Sequence, residues 1–155
     1  MQLLFIRHAE AEERAPGQPD AARRLTKKGR RQAQRLAVWL GARKVEAQAI
    51  VTSPLIRARE TAEPIAAAFG LDLKQEDRLA GGALTMARLA ALLSDAGDPS
   101  AAILVGHEPD LSEIIRDLTG GAVEMRKAAL ALVTCERIAA EAGVLCWLLP
   151  PRTRD

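Results

Sequence analysis

Three short, almost wholly apolar runs constrain this chain more than anything else in it: residues 2–6, 47–52 and 101–105. Each is too short for a buried helix and shows no polar alternation. Each stops at turn or capping residues, the pattern of strands covered on both faces. Helical patterns fill the intervals. Residues 27–43 put Ala33, Leu36, Ala37 and Leu40 on one face, with Thr26 as the entry cap and Gly29 just inside. Residues 54–69 carry a matching stripe at Ala58, Ala62, Ile65 and Phe69 and end at Gly70. Two more helices are predicted over 85–96 and 109–118, the second closed by Gly120 and Gly121. Residues 129–135 and 144–149, joined around Gly143, read as a final pair of strands. The alternation predicts a single α/β domain over residues 1–155. It is expected to be a three-layer α/β/α sandwich with a mostly parallel central sheet and an antiparallel edge strand. Pro64 conflicts with this pattern: inside the second helix it costs on the order of 3 kcal/mol and predicts a kink or break.

Composition removes several classes of function. The 155 residues are 48% hydrophobic and 27% charged, which excludes a disordered or fibrous chain. A formal net charge of +2 does not argue for nucleic acid, and no Tyr, two Phe and two Trp leave few rings to stack bases on. Cys135 and Cys146 lie in separate apolar runs, with neither a zinc spacing nor a disulfide framework. They read as core filler in a reducing compartment. The first apolar run is too short for a signal peptide and lacks a basic leader, and no stretch reaches the ~20 apolar residues of a membrane span. The expectation is a cytoplasmic protein with no membrane or nucleic-acid partner.

The chain has two histidines, and both follow a predicted strand: Arg7-His8 after the first, Gly106-His107 after the third. In open α/β sheets ligands bind beyond the carboxyl ends of the strands. The end of the second strand, Thr52-Ser53-Pro54, reads as a helix start with Ser53 as cap, and Arg57 falls in that helix's first turn. Two histidines and two arginines at three strand ends suggest an anion site, with phosphate as the natural anion. A neutral, oriented histidine accepts a phosphoryl group on a ring nitrogen, and arginines stabilise the charge of the transferring group. A two-histidine metal site fits less well, because there is no i, i+4 histidine pair or convincing third ligand. Adjacency of the three strand ends is not readable from the sequence.

Four segments then resemble the histidine phosphatase superfamily. Phe5-Ile-Arg7-His8-Ala-Glu-Ala resembles its Arg-His-Gly signature. Leu25-Thr-Lys-Lys-Gly29, Ser53-Pro-Leu-Ile-Arg57-Ala-Arg-Glu-Thr61-Ala and Val105-Gly-His107 follow in the family's order and spacing. The compact length and Trp147-Leu-Leu-Pro150 are most similar to the SixA-type phosphohistidine phosphatases. The resemblance implies that His8 is the nucleophile, that Arg7 and Arg57 hold phosphoryl oxygens, and that His107 completes the phosphate pocket. It implies no metal or organic cofactor, and water as the final acceptor of the phosphoryl group. Periodicity does not separate Arg57 from Arg59, since both flank the apolar stripe; the motif selects Arg57.

The chain departs from the pattern twice. Ala9 stands where glycine is commoner, which matters if that position needs positive φ. The mutase-like branch carries a glutamate proton donor in a Leu-x-Glu-Arg motif, but here the corresponding Arg78-Leu-Ala-Gly-Gly82 has no carboxylate. An alkoxide leaving group suffers from that lack more than an imidazole does, so the departure points to P–N cleavage. Glu108 and Glu10 are the candidate proton donors; each reads equally as a helix-start or surface charge. The expected substrate is a phosphorylated protein, such as a histidine phosphotransfer domain. Hydrolysis of a small phosphoester (a sugar or nucleotide phosphate) and a non-catalytic phosphate-binding module are the rival readings. Residues 23–44 hold nine Lys or Arg and no acid. Lys27, Arg31 and Arg35 form a stripe that reads as a solvated face or as a docking site for an acidic phosphoprotein.

Overall fold

The computed structural model describes residues 1–82 and 84–150. Six strands form one sheet: β1 Gln2–Arg7, β2 Ala49–Thr52, β3 Leu73–Gln75, β4 Ala101–Gly106, β5 Leu130–Cys135 and β6 Gly143–Leu149, in the order β3-β2-β4-β1-β5-β6. The pairings β3-β2, β2-β4 and β4-β1 are parallel, whereas β1-β5 and β5-β6 are antiparallel. The reversed strand is thus β5, one in from the edge that β6 forms. Four helices connect them: α1 Lys27–Ala42, α2 Ile56–Phe69, α3 Met86–Asp95 and α4 Asp110–Thr119.

The period-two rule of a strand sorts the core into two layers. Leu4 and Ile6 of β1, Ile50 of β2 and Ile103 and Val105 of β4 pack with Ala37, Leu40, Ala58, Ala62 and Ile65 of α1 and α2. Leu3, Phe5, Val51 and Leu104 point the other way, onto Leu89 and Leu92 of α3 and Leu111, Ile114 and Ile115 of α4. Burying each large apolar side chain contributes roughly 1.5–3 kcal/mol, so the sheet is held from both sides. The expected sandwich is present.

Four local expectations need revision, one of them Cys146, which is exposed on β6 rather than core filler like the buried Cys135. Pro64 does not break α2, which is continuous over Ile56–Phe69. The proline sits on the half-buried side of the helix, while Ala58, Ala62, Ile65 and Ala66 anchor the turns on either side of it in the core. Leu55, not Ser53, occupies the N-cap of α2, and it makes no side-chain capping bond. Strand β3 was not expected at all: it has three residues, of which none is fully buried, so it leaves no apolar run to read.

The entry of α1 follows the sequence closely. Thr26 is the N-cap and its Oγ1 accepts from the Gly29 amide at 3.0 Å. Gly29 is required for a different reason. A Cβ there would stand 1.9 Å from the Glu10 carbonyl oxygen, so only glycine lets α1 lie against the segment that follows β1.

Candidate active site

The sheet order makes neighbours of the three strand ends. Arg7 pairs with Gly106 and Thr52 with Val105, so β1, β4 and β2 finish at one level. Two further backbone bonds extend the pairing: the His8 amide donates to Gly106 O at 3.1 Å and the Ser53 amide to Val105 O at 2.9 Å. His8 and His107 therefore emerge side by side, their ring centroids 5.1 Å apart. Each is 6% exposed.

The His8 ring is oriented by its own backbone. Nδ1 lies 2.7 Å from the Ala9 carbonyl, which only accepts. Nδ1 consequently carries the proton and Nε2 the lone pair. The next residue is fixed by α2: the Ala9 amide donates to Thr61 Oγ1 at 3.0 Å, and that hydroxyl donates to Arg57 O at 2.7 Å. Ala9 is fully buried and lacks a positive φ, so alanine in place of glycine carries no backbone strain. Burial above all pushes the His8 pKa down to about 3, with His107, Arg57 and Arg7 adding repulsion and the Ala9 carbonyl opposing. Burial, then the charge of Arg57, lowers His107 to about 4. Both rings are neutral at neutral pH.

The arginines are held by parts of the chain distant in sequence. Arg7 Nη1 donates to Met125 O at 2.8 Å. Arg57 is 5% exposed and donates from Nη1 to Asp20 O and from Nη2 to Asp20 Oδ2, both at 2.8 Å. Burial lowers the Arg57 pKa and the Asp20 carboxylate opposes it. For Asp20, burial pushes upward but the bonds and charges of Arg57 and Arg23 prevail, and its carboxyl sits below the usual value. Arg59 is only half-buried. His107 Nε2 lies 2.7 Å from Ser53 Oγ.

The two candidate carboxylates separate. Glu10 faces Lys28 Nζ at 3.1 Å and Thr26 Oγ1 at 3.1 Å, and the bonds to Lys28 and Thr26 lower its pKa. Glu10 thus sits in an ion pair with Lys28 at the start of α1. Burial raises the pKa of Glu108, against the opposing effects of its Ser112 bond and Arg7. Its Oε2 accepts from Ser112 Oγ, which in turn takes the Met125 amide at 3.2 Å.

Among the described residues, four buried side-chain atoms make no hydrogen bond: Arg7 Nε, Arg57 Nε, His107 Nδ1 and Glu108 Oε1. Native proteins leave few such atoms, because each costs about 1–3 kcal/mol. All four belong to residues the sequence singles out. No three His, Cys, Asp or Glu side chains gather as a possible metal site among the described residues.

Asp20, Ser53, Thr61 and the Met125 carbonyl were not read as site residues. Ser53 and Thr61 lie within the matched second-helix motif, but Asp20 opens a three-residue 3-10 turn, too short for any periodicity, and carries no sequence signal.

A sheet ending in two neutral histidines, flanked by the buried Arg57 and the half-buried Arg7, gives an α/β scaffold whose strand ends are suited to receive an anion. The model of the histidine phosphatase superfamily (branch 1) matches residues 3–84, and the chain belongs to that superfamily. Within it the chain is similar to the SixA group. It is 31% identical over 131 residues to a phosphohistidine phosphatase SixA homolog of Haemophilus influenzae, covering 77% of this chain and 78% of that protein. It is 26% identical over 158 residues to phosphohistidine phosphatase SixA of Escherichia coli, covering 97% and 94%. The structure of protein histidine phosphatase SixA with tungstate superposes with a TM-score of 0.82 at 24% identity, covering 97% of each chain. Mycobacterial glucosyl-3-phosphoglycerate phosphatase shares the fold at a TM-score of 0.76 and 18% identity, covering 97% of this chain and 98% of that one. Among the described residues, no helix is long and apolar enough to cross a membrane.

Proposed function

We propose that this protein hydrolyses phosphohistidine on a protein through a phosphorylated His8. The reading is carried by the four unsatisfied buried atoms of Arg7, Arg57, His107 and Glu108. Three of them, Arg7 Nε, Arg57 Nε and His107 Nδ1, are nitrogens suited to donating to phosphoryl oxygens, and the fourth is a carboxylate oxygen of Glu108. His8 Nε2 attacks phosphorus, the Nε2–P bond forms and the P–N bond to the substrate breaks. The leaving imidazole takes a proton from Glu108, whose raised pKa favours the acid form. Water then attacks phosphorus, the Nε2–P bond breaks, Glu108 recovers a proton, and inorganic phosphate leaves. The arginines and His107 hold the three equatorial oxygens in both steps. Similarity to the SixA proteins supports a phosphohistidine substrate, and the lack of a carboxylate in the 78–82 segment supports cleavage of a P–N rather than a P–O bond.

A small phosphoester is the second reading, favoured by the shared fold of a phosphatase of glucosyl-3-phosphoglycerate. The test offers a phosphohistidine protein and a panel of phosphoesters to the wild type and to His8→Ala. The expected result is turnover of the phosphoprotein, with an acid-labile phosphoenzyme that His8→Ala lacks. Preferential turnover of an ester moves the protein to the second reading. Undiminished activity in His8→Ala rejects the mechanism, and binding without turnover makes the protein a module rather than an enzyme.

A further inference from the structure

We infer that Ser53 is a positioning residue, which sets the tautomer of His107 so that its Nδ1–H faces the phosphate site. The inference rests on the reading of this pocket as a phosphoryl-transfer site, and follows from a count of protons. Ser53 is 0% exposed, and its hydroxyl has one hydrogen and two lone pairs to place. One lone pair receives the Leu55 amide at 3.2 Å. The remaining contact of Oγ among the described residues is His107 Nε2, at 2.7 Å.

Two arrangements are open to that short contact. If Nε2 carried the proton, it would donate to the hydroxyl, and the serine hydrogen would be left buried without an acceptor. His107 Nδ1 would be left as an unsatisfied acceptor too, since it has no partner. If Nε2 is bare, the serine hydrogen goes to it and the hydroxyl is satisfied. The one remaining unsatisfied group is then Nδ1–H, a donor. Each buried unsatisfied group costs about 1–3 kcal/mol, so the second arrangement wins by one such group. It also leaves a donor, the polarity that a phosphoryl oxygen needs. Ser53 thus does for His107 what the Ala9 carbonyl does for His8, with opposite polarity: a carbonyl demands a proton on the nitrogen it faces, and a hydroxyl supplies one. In both rings the result is the Nδ1–H tautomer, leaving a lone pair at His8 Nε2 for phosphorus and a hydrogen at His107 Nδ1 for oxygen.

The chain has two histidines, so the tautomers are directly observable in protein labelled with nitrogen-15 histidine. Long-range proton–nitrogen correlation at neutral pH is expected to show Nδ1–H on both rings. Ser53→Ala should move His107 towards Nε2–H while His8 keeps its pattern. Ser53→Thr retains the hydroxyl and should keep both patterns. Adding inorganic phosphate should shift the His107 Nδ1 resonance in the wild type and do so about tenfold more weakly in Ser53→Ala, the loss of about one hydrogen bond. Nε2–H on wild-type His107 would overturn the assignment, as would an unchanged His107 in Ser53→Ala or a lost pattern in folded Ser53→Thr. None of these readouts needs turnover. Absence of a phosphoenzyme at His8 would reject the catalytic reading while leaving the tautomer result standing.

Discussion

Burial of two imidazoles at the ends of β1 and β4 has a thermodynamic consequence. His8 and His107 titrate at about 3 and about 4 in the folded protein, against 6.5 for the ordinary side chain. Between those values the unfolded chain binds protons that the folded one refuses. Stability contributed by the neutral rings is therefore complete above about pH 7 and falls as pH drops, by up to about 1.4 kcal/mol per pH unit for each ring. Urea denaturation from about pH 7 down to about pH 5 should show this loss, and His8→Asn should roughly halve the two-histidine part of the slope. An unchanged slope would mean that His8 is not held neutral. Asp20 offers a second residue-scale prediction. It occupies both terminal nitrogens of Arg57 and leaves Nε unengaged, so it orients the guanidinium and places a negative charge on it. Asp20→Asn keeps the carbonyl contact and an acceptor but removes that charge. Inorganic phosphate should then inhibit about fivefold more tightly, the equivalent of about 1 kcal/mol of Coulomb repulsion relieved. A weaker or equal inhibition constant would show that Asp20 acts only through orientation.

At the scale of the element, α1 is placed by one close approach. Gly29→Ala puts a methyl 1.9 Å from the backbone oxygen of Glu10, and backbone cannot swing aside as a side-chain tip does. The expected cost is at or above the usual 1–3 kcal/mol of overpacking, roughly, with activity falling because the displaced segment begins two residues after His8. Gly41 lies in the same helix, and a Cβ there meets nothing within 4 Å. Gly41→Ala should be neutral or stabilising by up to about 1 kcal/mol, so the pair of denaturation midpoints separates contact from helix propensity. The contrast also shows what was legible beforehand. Leu3–Ile6, Ile50 and Ala102–Val105 announce themselves because strands buried on both faces need unbroken apolar runs. Strand β3 has no such need, being short and at an edge, so Leu73–Gln75 carries no pattern. Local rules predict a kink or break at Pro64; α2 nonetheless continues through it, with Ala62, Ile65 and Ala66 anchored in the core. Ser53 was read as a cap because Ser-Pro before a helix usually is one. Its actual bond to His107 is a tertiary contact across 54 positions, which local reading does not reach.

At the scale of the whole molecule, the end of the sheet that carries His8 and His107 adjoins a basic helix. The Thr26 amide donates to Glu10 O at 3.0 Å, so the first turn of α1 begins beside the segment that carries His8. Lys27, Arg31 and Arg35 are exposed along the helix from that point, and Val38, 65% exposed, continues the same stripe. A small phosphoester that fills only the pocket gains nothing from a strip running away from it. An acidic phosphoprotein spans both, and an exposed apolar side chain among the cations suits a protein surface. Neutralising the strip as Lys27→Gln, Arg31→Gln and Arg35→Gln should therefore raise KM for a phosphohistidine protein by about tenfold. It should leave kcat/KM for a small phosphoester within about twofold, because surface substitutions of this kind change stability little. The penalty on the phosphoprotein should also shrink as salt is added to the wild type, since a Debye length of about 8 Å at physiological ionic strength screens an exposed strip and not a buried pocket. Equal loss on both substrates would place the effect in the fold of α1 rather than in docking. No loss on either would return the basic stretch to the plain role of a solvated face.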